Sequence, residues 1–239
     1  MFEQWTTQDT TAVLLTLRVA LCCVGLLLLP GVFLGWLLAR KQFIGRSWLE
    51  AAIHLPLVLP PVVVGYGLLV LTGRQSWIGS FFEQTLGLPI AFTWLAAVLA
   101  SSVMALPLMV RTVKLAIESV DKGQEQAASV CGASPWRVWW TITFPAAWPG
   151  LLTGMILAFA RSVGEFGATI TFAGNIEGHT RTLPLAIFSA MQRTDGDASV
   201  HRLVIASIIL SLAAVFVSEW MSRKYRDANL RSEHARSRP

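Results

Sequence analysis

The chain has 239 residues, of which 54% are hydrophobic and only 14% are charged, whereas charged residues make up about 25% of an ordinary soluble protein. The net charge of +5 does not indicate nucleic-acid binding, because the basic residues flank apolar runs and form no stripe with aromatic residues. The three cysteines and four histidines show no metal-ligand spacing, so no metal site is predicted.

Apolar runs long enough to cross a bilayer as helices occur five times along the chain. They predict membrane spans at about residues 19–39, 54–72, 90–110, 148–172 and 203–220. The predicted fold class is therefore an all-α integral membrane protein with about five spanning helices.

Lysine and arginine residues concentrate at one end of these spans. With five spans, thirteen of the nineteen fall on one side, in the loops after spans one and three and in the tail, and four fall on the other. The positive-inside rule then predicts a short extracytoplasmic N-terminus at residues 1–10 and a basic cytoplasmic tail at residues 223–239. The tail is interpreted as a solvated, topology-setting segment, with contact to membrane lipid as the alternative.

The second predicted span contains Pro56, Pro60 and Pro61. Each proline removes a helix hydrogen bond and frees a carbonyl group, which in a membrane must find a partner in protein or in a water-lined cavity. A packing kink and a lining of a transport pathway are both consistent with this pattern. Gly65 and Gly67 are expected to let a neighbouring helix come close.

The fourth predicted span carries Arg161 and Glu165 within its apolar body. Four residues apart on a helix, the two side chains share a face and are expected to pair. Ionisable groups at membrane depth usually serve a function, so a role in a pathway or gate is predicted, with a purely structural ion pair as the alternative.

The loop at residues 121–150 is not a polar linker. Residues 124–130 favour a short helix, Gly132 permits a turn, and an amphipathic aromatic stretch follows. Because Ala127 and Ala128 are small, another protein could approach this helix closely and hold it in a groove. The alternative is a helix lying on the lipid headgroups, which Trp136, Trp139 and Trp140 would also suit.

The same loop resembles the cytoplasmic signature of ABC importer permeases, which reads Glu-Ala-Ala, three residues, Gly, nine residues, Ile, one residue, Leu-Pro. The corresponding residues here are Gln126, Ala127, Ala128, Gly132, Ile142, Phe144 and Pro145. The spacing matches, while Gln126 replaces Glu and Phe144 replaces Leu. The resemblance implies a type I importer (MetI-like) transmembrane domain at residues 11–222, in which the loop couples the chain to an ATPase.

Two further segments narrow the resemblance. Residues 160–175 are similar to a segment of permeases for tetrahedral oxyanions, and residues 55–69 look most like the molybdate branch of that group. The implied substrate is molybdate, with tungstate inseparable from it and a sulfate or thiosulfate permease as the alternative. A dianion must also be released, so hydroxyl and backbone N–H groups are expected to line the path. The candidates are Ser162, Gly164, Thr169 and Thr171.

The family implies partners for the chain. They are a second permease copy in a homodimer, two ATP-binding cassette subunits that use ATP and Mg, and a periplasmic oxyanion-binding protein docking on outer loops around residues 73–88 and 174–200. The expected location is the bacterial inner membrane, and the expected mechanism is alternating access. The chain itself is expected to bind no cofactor and to have no catalytic residue.

Two other classes of protein fit less well. An intramembrane enzyme would need reactive residues, but the sequence contains no HExxH or GxSxG motif. A channel or independent carrier would work without a partner, and such carriers often contain internal repeats that are not seen here. The chain also lacks a GxxxxGK[ST] phosphate-binding loop, so ATP-driven transport would require a separate ATPase.

Overall fold

The computed structural model describes residues 5–73, 75–87, 89–193 and 198–216. These residues form ten helices and no strand, and the predicted basic tail, residues 1–4 and the predicted end of span five at 217–220 lie outside them. The helices are α1 (Thr7–Arg40), α2 (Arg46–Val58), α3 (Pro61–Thr72), α4 (Trp77–Leu86), α5 (Trp94–Glu118), α6 (Lys122–Val130), α7 (Pro135–Val163), α8 (Gly167–Phe172), α9 (Leu183–Met191) and α10 (Ala198–Phe216).

Four helices, α1, α5, α7 and α10, are long and apolar enough to cross a membrane, and the bent pair α2–α3 adds a fifth if it forms one span. The predicted all-α membrane fold with about five spans is confirmed. Helix α1 starts much earlier than residue 19, because Thr6 and Asp9 form a capping box that satisfies its first amide groups. At 1.5 Å per residue it is about 50 Å long, so it projects well beyond a hydrocarbon layer of about 30 Å.

The second predicted span is not one continuous helix. Helices α2 and α3 meet at an angle of 115°, with Leu59 ending α2 and Pro60 preceding α3. Pro61 is the first residue of α3, where its missing N–H and fixed φ are tolerated. Pro56 lies inside α2 without ending it, so the sharp break belongs to the Pro60–Pro61 pair.

The fourth predicted span is also wrong as a continuous helix. Helix α7 begins at Pro135, well before residue 148, and ends at Val163. The chain then leaves helical geometry at Gly164 and resumes it at Gly167 as the short helix α8. The third predicted span is shifted as well, because the Thr93 side chain caps α5 and the helix continues past residue 110 to Glu118.

Helix α5 is the centre of the fold, because 67% of its most apolar 18-residue stretch is buried. Helices α1 and α7 pack on it closely, through glycines that leave no room for a side chain. A Cβ atom at Gly35 would lie 2.6 Å from Val113 Cγ1, and one at Gly150 would lie 2.2 Å from Ala116 Cβ. Small residues at such contacts let helix backbones approach in a membrane, where van der Waals packing drives helix association.

Helix α3 makes a similarly close contact with α8. A Cβ atom at Gly65 would lie 2.6 Å from the carbonyl oxygen of Ala168 and 2.9 Å from its Cα. Gly67 has no atom within 4 Å of the corresponding position. The expected close approach is therefore confirmed at Gly65 and wrong at Gly67, whose face of α3 is open.

These two glycines form a matched pair for testing the α3–α8 contact. Gly65→Ala is expected to lower the free energy of unfolding by about 1–3 kcal/mol, because the new methyl group meets backbone atoms that cannot rotate away. Gly67→Ala is expected to be neutral or slightly stabilising, since alanine favours a helix by about 1 kcal/mol over glycine. Thermal unfolding of both variants in detergent measures the difference, and equal midpoints would contradict the contact.

Candidate functional site

Helix α6 presents the predicted coupling residues to solvent. Its first turn is capped by Asp121, whose side chain accepts a hydrogen bond from the Gly123 N–H at 2.8 Å. None of the residues of α6 is buried. Gln126 and Ala127 are exposed, and Ala128 is half-buried. The helix therefore offers a small, open surface between two long helices, as a docking role requires.

The end of α6 depends on Gly132. This residue has a φ of +84°, a left-handed conformation that side chains disfavour. Its N–H donates to the Ser129 carbonyl, and the Ala133 N–H donates to the Ala128 carbonyl, each at 3.0 Å. This pair of hydrogen bonds is a Schellman motif, which ends a helix sharply. The turn predicted at Gly132 is confirmed.

Glu125 anchors the inner face of α6. Its Oε1 atom accepts hydrogen bonds from Arg40 Nη2 at 2.7 Å and from Thr143 Oγ1 at 2.6 Å. The two charged side chains are largely buried, with 12% of Arg40 and 19% of Glu125 exposed. One carboxylate thus ties α6 both to the end of α1 and to α7.

This anchor was not predicted from the sequence. In the sequence, Glu125 stands one residue before the position at which the signature has its carboxylate. Its partner Arg40 is 85 residues away along the chain, and no sequence spacing links such a pair. The structure shows that Glu125 faces the body of the protein while Gln126 faces outward.

A π-helical turn at Trp139–Thr143 lies within the first part of α7. The Phe144 N–H donates to the Trp139 carbonyl five residues earlier, and Pro145, which follows, has no N–H to donate. Ile142 is half-buried and Pro145 is exposed. A groove of about 1,170 Å³ lies between this turn, α6 and the last turns of α1, with Trp36 and Trp139 in edge-to-face contact on its wall.

The break after α7 holds the predicted charged pair. Arg161 Nη1 lies 2.5 Å from Glu165 Oε2, and 27% of the arginine side chain but only 1% of the glutamate is exposed. Glu165 Oε1 also accepts the Ala168 N–H at 2.8 Å. The predicted pairing is confirmed, although Glu165 lies outside the helix and its carboxylate serves both the guanidinium and the start of α8.

The other predicted pathway residues divide into two groups. Gly164 is exposed at the break. Ser162 and Thr169 are buried within the chain, with 4% and 1% exposed. The Thr169 hydroxyl donates to the Phe166 carbonyl at 2.9 Å. In this conformation, Gly164 and Arg161 offer surface to a pathway, and the two hydroxyl groups lie in the interior.

The two helix breaks touch each other. A Cβ atom at Gly167, which begins α8, would lie 2.7 Å from Pro61 Cβ at the start of α3. The proline break between α2 and α3 and the break between α7 and α8 therefore meet in one region. Interrupted helices that meet in this way form the substrate sites of many transporters.

The family described as binding-protein-dependent transport system inner membrane component matches residues 31–227. The chain is 50% identical over 216 residues to the molybdenum transport system permease protein ModB of Haemophilus influenzae, covering 90% of this chain and 94% of that protein. It is 36% identical over 183 residues to the probable sulfate transport system permease protein cysT of Chlorokybus atmophyticus, covering 77% of this chain and 63% of that protein.

A solved structure shares the fold. A chain of the MetNI methionine ABC transporter in an inward-facing conformation superposes with a TM-score of 0.67 at 19% identity, covering 90% of this chain and 94% of that chain. The predicted MetI-like fold is confirmed by this likeness.

Removal of the Glu125 charge is expected to loosen α6. Glu125→Gln weakens the hydrogen bond with Arg40 by about 1.5–3 kcal/mol, so amide hydrogen exchange in residues 122–131 is expected to accelerate about tenfold or more. Glu118→Gln is the control, since Glu118 is exposed at the end of α5. Exchange that is equally slow in both variants would show that the ion pair does not hold the helix.

Proposed function

Because this chain belongs to the family of binding-protein-dependent transport system inner membrane components, we propose that it forms the translocation pathway of an ATP-driven importer for molybdate. The chain is an integral protein of the inner membrane and a permease subunit. The observation that supports molybdate as the substrate is the 50% identity to a molybdenum permease over nearly the whole length of both chains. Tungstate, a similar tetrahedral dianion, is a second substrate of the same site.

Sulfate is the alternative substrate. The sulfate permease relative is 36% identical and matches a shorter part of both chains. The region where the two helix breaks meet supports transport of a weakly held anion. Glu165 has the wrong charge to bind a dianion, and its pairing with Arg161 makes the region close to neutral. A pathway that binds weakly lets the ion leave again.

Coupling to ATP hydrolysis is proposed to pass through α6. Its outer face, with Gln126 and Ala127, is open for a cleft on an ATP-binding cassette subunit. Glu125 ties its inner face to the last residue of α1, Arg40, and to Thr143 in the first part of α7. Movement of the ATPase would therefore reach two long helices through one carboxylate. ATP and Mg are bound by that partner, and this chain binds no cofactor.

We propose the orientation of the chain in the membrane from the same contacts. Arg40, at the start of a basic loop, pairs with α6, so the basic loops after α1 and α5 lie at one end of the protein. The positive-inside rule makes that end cytoplasmic. An odd number of spans then places the N-terminus outside and the C-terminal tail in the cytoplasm.

A second copy of the chain is proposed to complete the pathway. Helices α2 and α3 expose several large apolar side chains, which a neighbouring helix can cover. They are Leu55, Leu57, Val58, Val62, Val63, Tyr66 and Val70. A periplasmic oxyanion-binding protein is proposed to dock at the opposite end, on the outer loops around residues 73–88 and 174–200. Alternating access of the two copies would then move the anion inward.

Uptake of radiolabelled molybdate in cells lacking this chain tests the substrate. Uptake is expected to be lost, to return with the wild-type chain, and to fall with excess tungstate more than with excess sulfate. Glu165→Gln, which leaves Arg161 without its carboxylate at membrane depth, is expected to lower the rate about tenfold or more at equal membrane abundance. Sulfate uptake lost in place of molybdate uptake would assign the chain to the sulfate branch.

Disulfide crosslinking tests the coupling role of α6. In a chain without Cys22, Cys23 and Cys131, Ala127→Cys is expected to crosslink to a cysteine in the membrane-facing cleft of the ATPase subunit. Glu177→Cys is the control, because Glu177 is exposed in the loop after α8, at the other end of α7. No crosslink from Ala127→Cys in a complex that still transports would rule out docking at α6.

A further inference from the structure

A second cavity, of about 430 Å³, lies between α2 and α5 at the end of the protein that carries the basic loops. We call it the α2–α5 pocket, and four of its lining residues can carry charge: Glu50, His54, Arg111 and Lys114. Arg111 is seven residues before the end of α5, and Glu50 is four residues after the start of α2. The pocket therefore lies near the cytoplasmic boundary of the membrane.

The pocket has more cationic groups than carboxylates. Its one carboxylate, Glu50, accepts a hydrogen bond from Lys114 Nζ at 2.5 Å. Arg111 forms no ion pair with any residue that the structure describes. Arg46 lies one turn before Glu50 on the same face of α2, and its buried Nε has no hydrogen-bond partner among the described residues. Within the pocket itself, one guanidinium group, that of Arg111, thus remains unmatched beside one neutralised pair, and Arg46 lies outside the lining.

The His54 ring is fixed to the backbone of its own helix. Its Nδ1 atom lies 2.7 Å from the backbone carbonyl of Glu50. A carbonyl oxygen only accepts hydrogen bonds, so Nδ1 carries the hydrogen and the Nε2 of a neutral ring is an acceptor. The permanently charged donors that line the pocket are those of Arg111 and Lys114.

An unmatched guanidinium group beside an ammonium group suits one class of ligand. The planar guanidinium fork matches the oxygens of a tetrahedral oxyanion, and a lysine adds a point charge. Near a membrane boundary the local dielectric constant is lower than in water, which strengthens such contacts. The carboxylate of Glu50 is already paired with the Lys114 ammonium group, and this pairing limits how tightly an anion is held.

We propose that the α2–α5 pocket binds a tetrahedral oxyanion at the cytoplasmic end of the permease. Two sources share this chemistry: the transported dianion on its way out, and the phosphate of an anionic lipid in the inner leaflet. The first source rests on the proposed transport function, whereas the second does not. In either case Arg111 is the main ligand, because it is exposed and has no carboxylate partner among the described residues.

Thiol protection tests this site in the complete transporter, reconstituted with its ATPase in vesicles of phosphatidylcholine. The reporter is Ala51→Cys, in a chain without the native cysteines, because Ala51 lines the pocket and is exposed. Molybdate at millimolar concentration is expected to slow its reaction with an anionic methanethiosulfonate about threefold or more. Leu115→Cys, also an exposed lining residue, is the second reporter if the first variant does not assemble.

Two further variants locate the binding site. Arg111→Gln is expected to weaken the apparent affinity for molybdate about tenfold, because it removes a charged donor. Lys41→Gln is the control, since it removes an exposed cation in the basic loop after α1 without touching the pocket. Equal loss of protection in both variants would mean that general positive charge, not the pocket, attracts the anion.

The lipid composition separates the two sources. If a lipid phosphate fills the pocket, phosphatidylglycerol in the vesicles slows the reaction without molybdate, and Arg111→Gln reverses this effect. If the transported ion fills it, molybdate protects in phosphatidylcholine alone. Slowing by neither anion overturns the proposal. Normal molybdate uptake by the same chain would show in that case that the transport function stands and only this site fails.

Discussion

The fold depends on the requirement that backbone polar groups inside a membrane find partners within the protein. Two helices break in this chain, between α2 and α3 and between α7 and α8. At the second break, one carboxylate oxygen of Glu165 accepts the Ala168 N–H and the other lies against the Arg161 guanidinium. The breaks also cover each other, since Gly65 and Gly167 bring α8 against α3 with no side chain between them. The irregular backbone is therefore partly covered by protein, although Gly164 stays exposed.

A second buried carboxylate has a similar role at the end of the protein that carries the basic loops. Glu125 joins three elements that are far apart in sequence, because its carboxylate reaches α1 through Arg40 and α7 through Thr143. With this inner face fixed, the rest of α6 needs no burial, and none of its residues is buried. The Schellman motif at Gly132 then turns the chain into α7 without a long loop. The exposed helix is thus anchored to α1 and α7 through one carboxylate on its inner face.

The sequence indicated the parts of this arrangement that follow from local patterns. The apolar runs predicted about five spans, and Gly132 predicted a turn. The spacing of four residues predicted the pairing of Arg161 with Glu165. It could not indicate the Arg40–Glu125 pair, because contacts between distant segments leave no spacing to read. It also could not show that helix α7 stops at Val163, since Gly164 and Gly167 lie within an apolar run and glycine is tolerated in membrane helices. Gly65 and Gly67 look alike in sequence, and only the position of α8 distinguishes them.

The charges are distributed unevenly along the length of the protein. At the two helix breaks, Arg161 and Glu165 cancel, so a dianion meets little net attraction there. At the end of the protein that carries the basic loops, the α2–α5 pocket keeps the Arg111 guanidinium beyond the matched Glu50–Lys114 pair. An anion that moved toward this end would pass from a nearly neutral region to a positive one, and its energy would fall along the way. Glu50 limits this fall in energy, because its negative charge offsets part of the positive charge of the pocket. Without that carboxylate the anion would bind more tightly and leave more slowly.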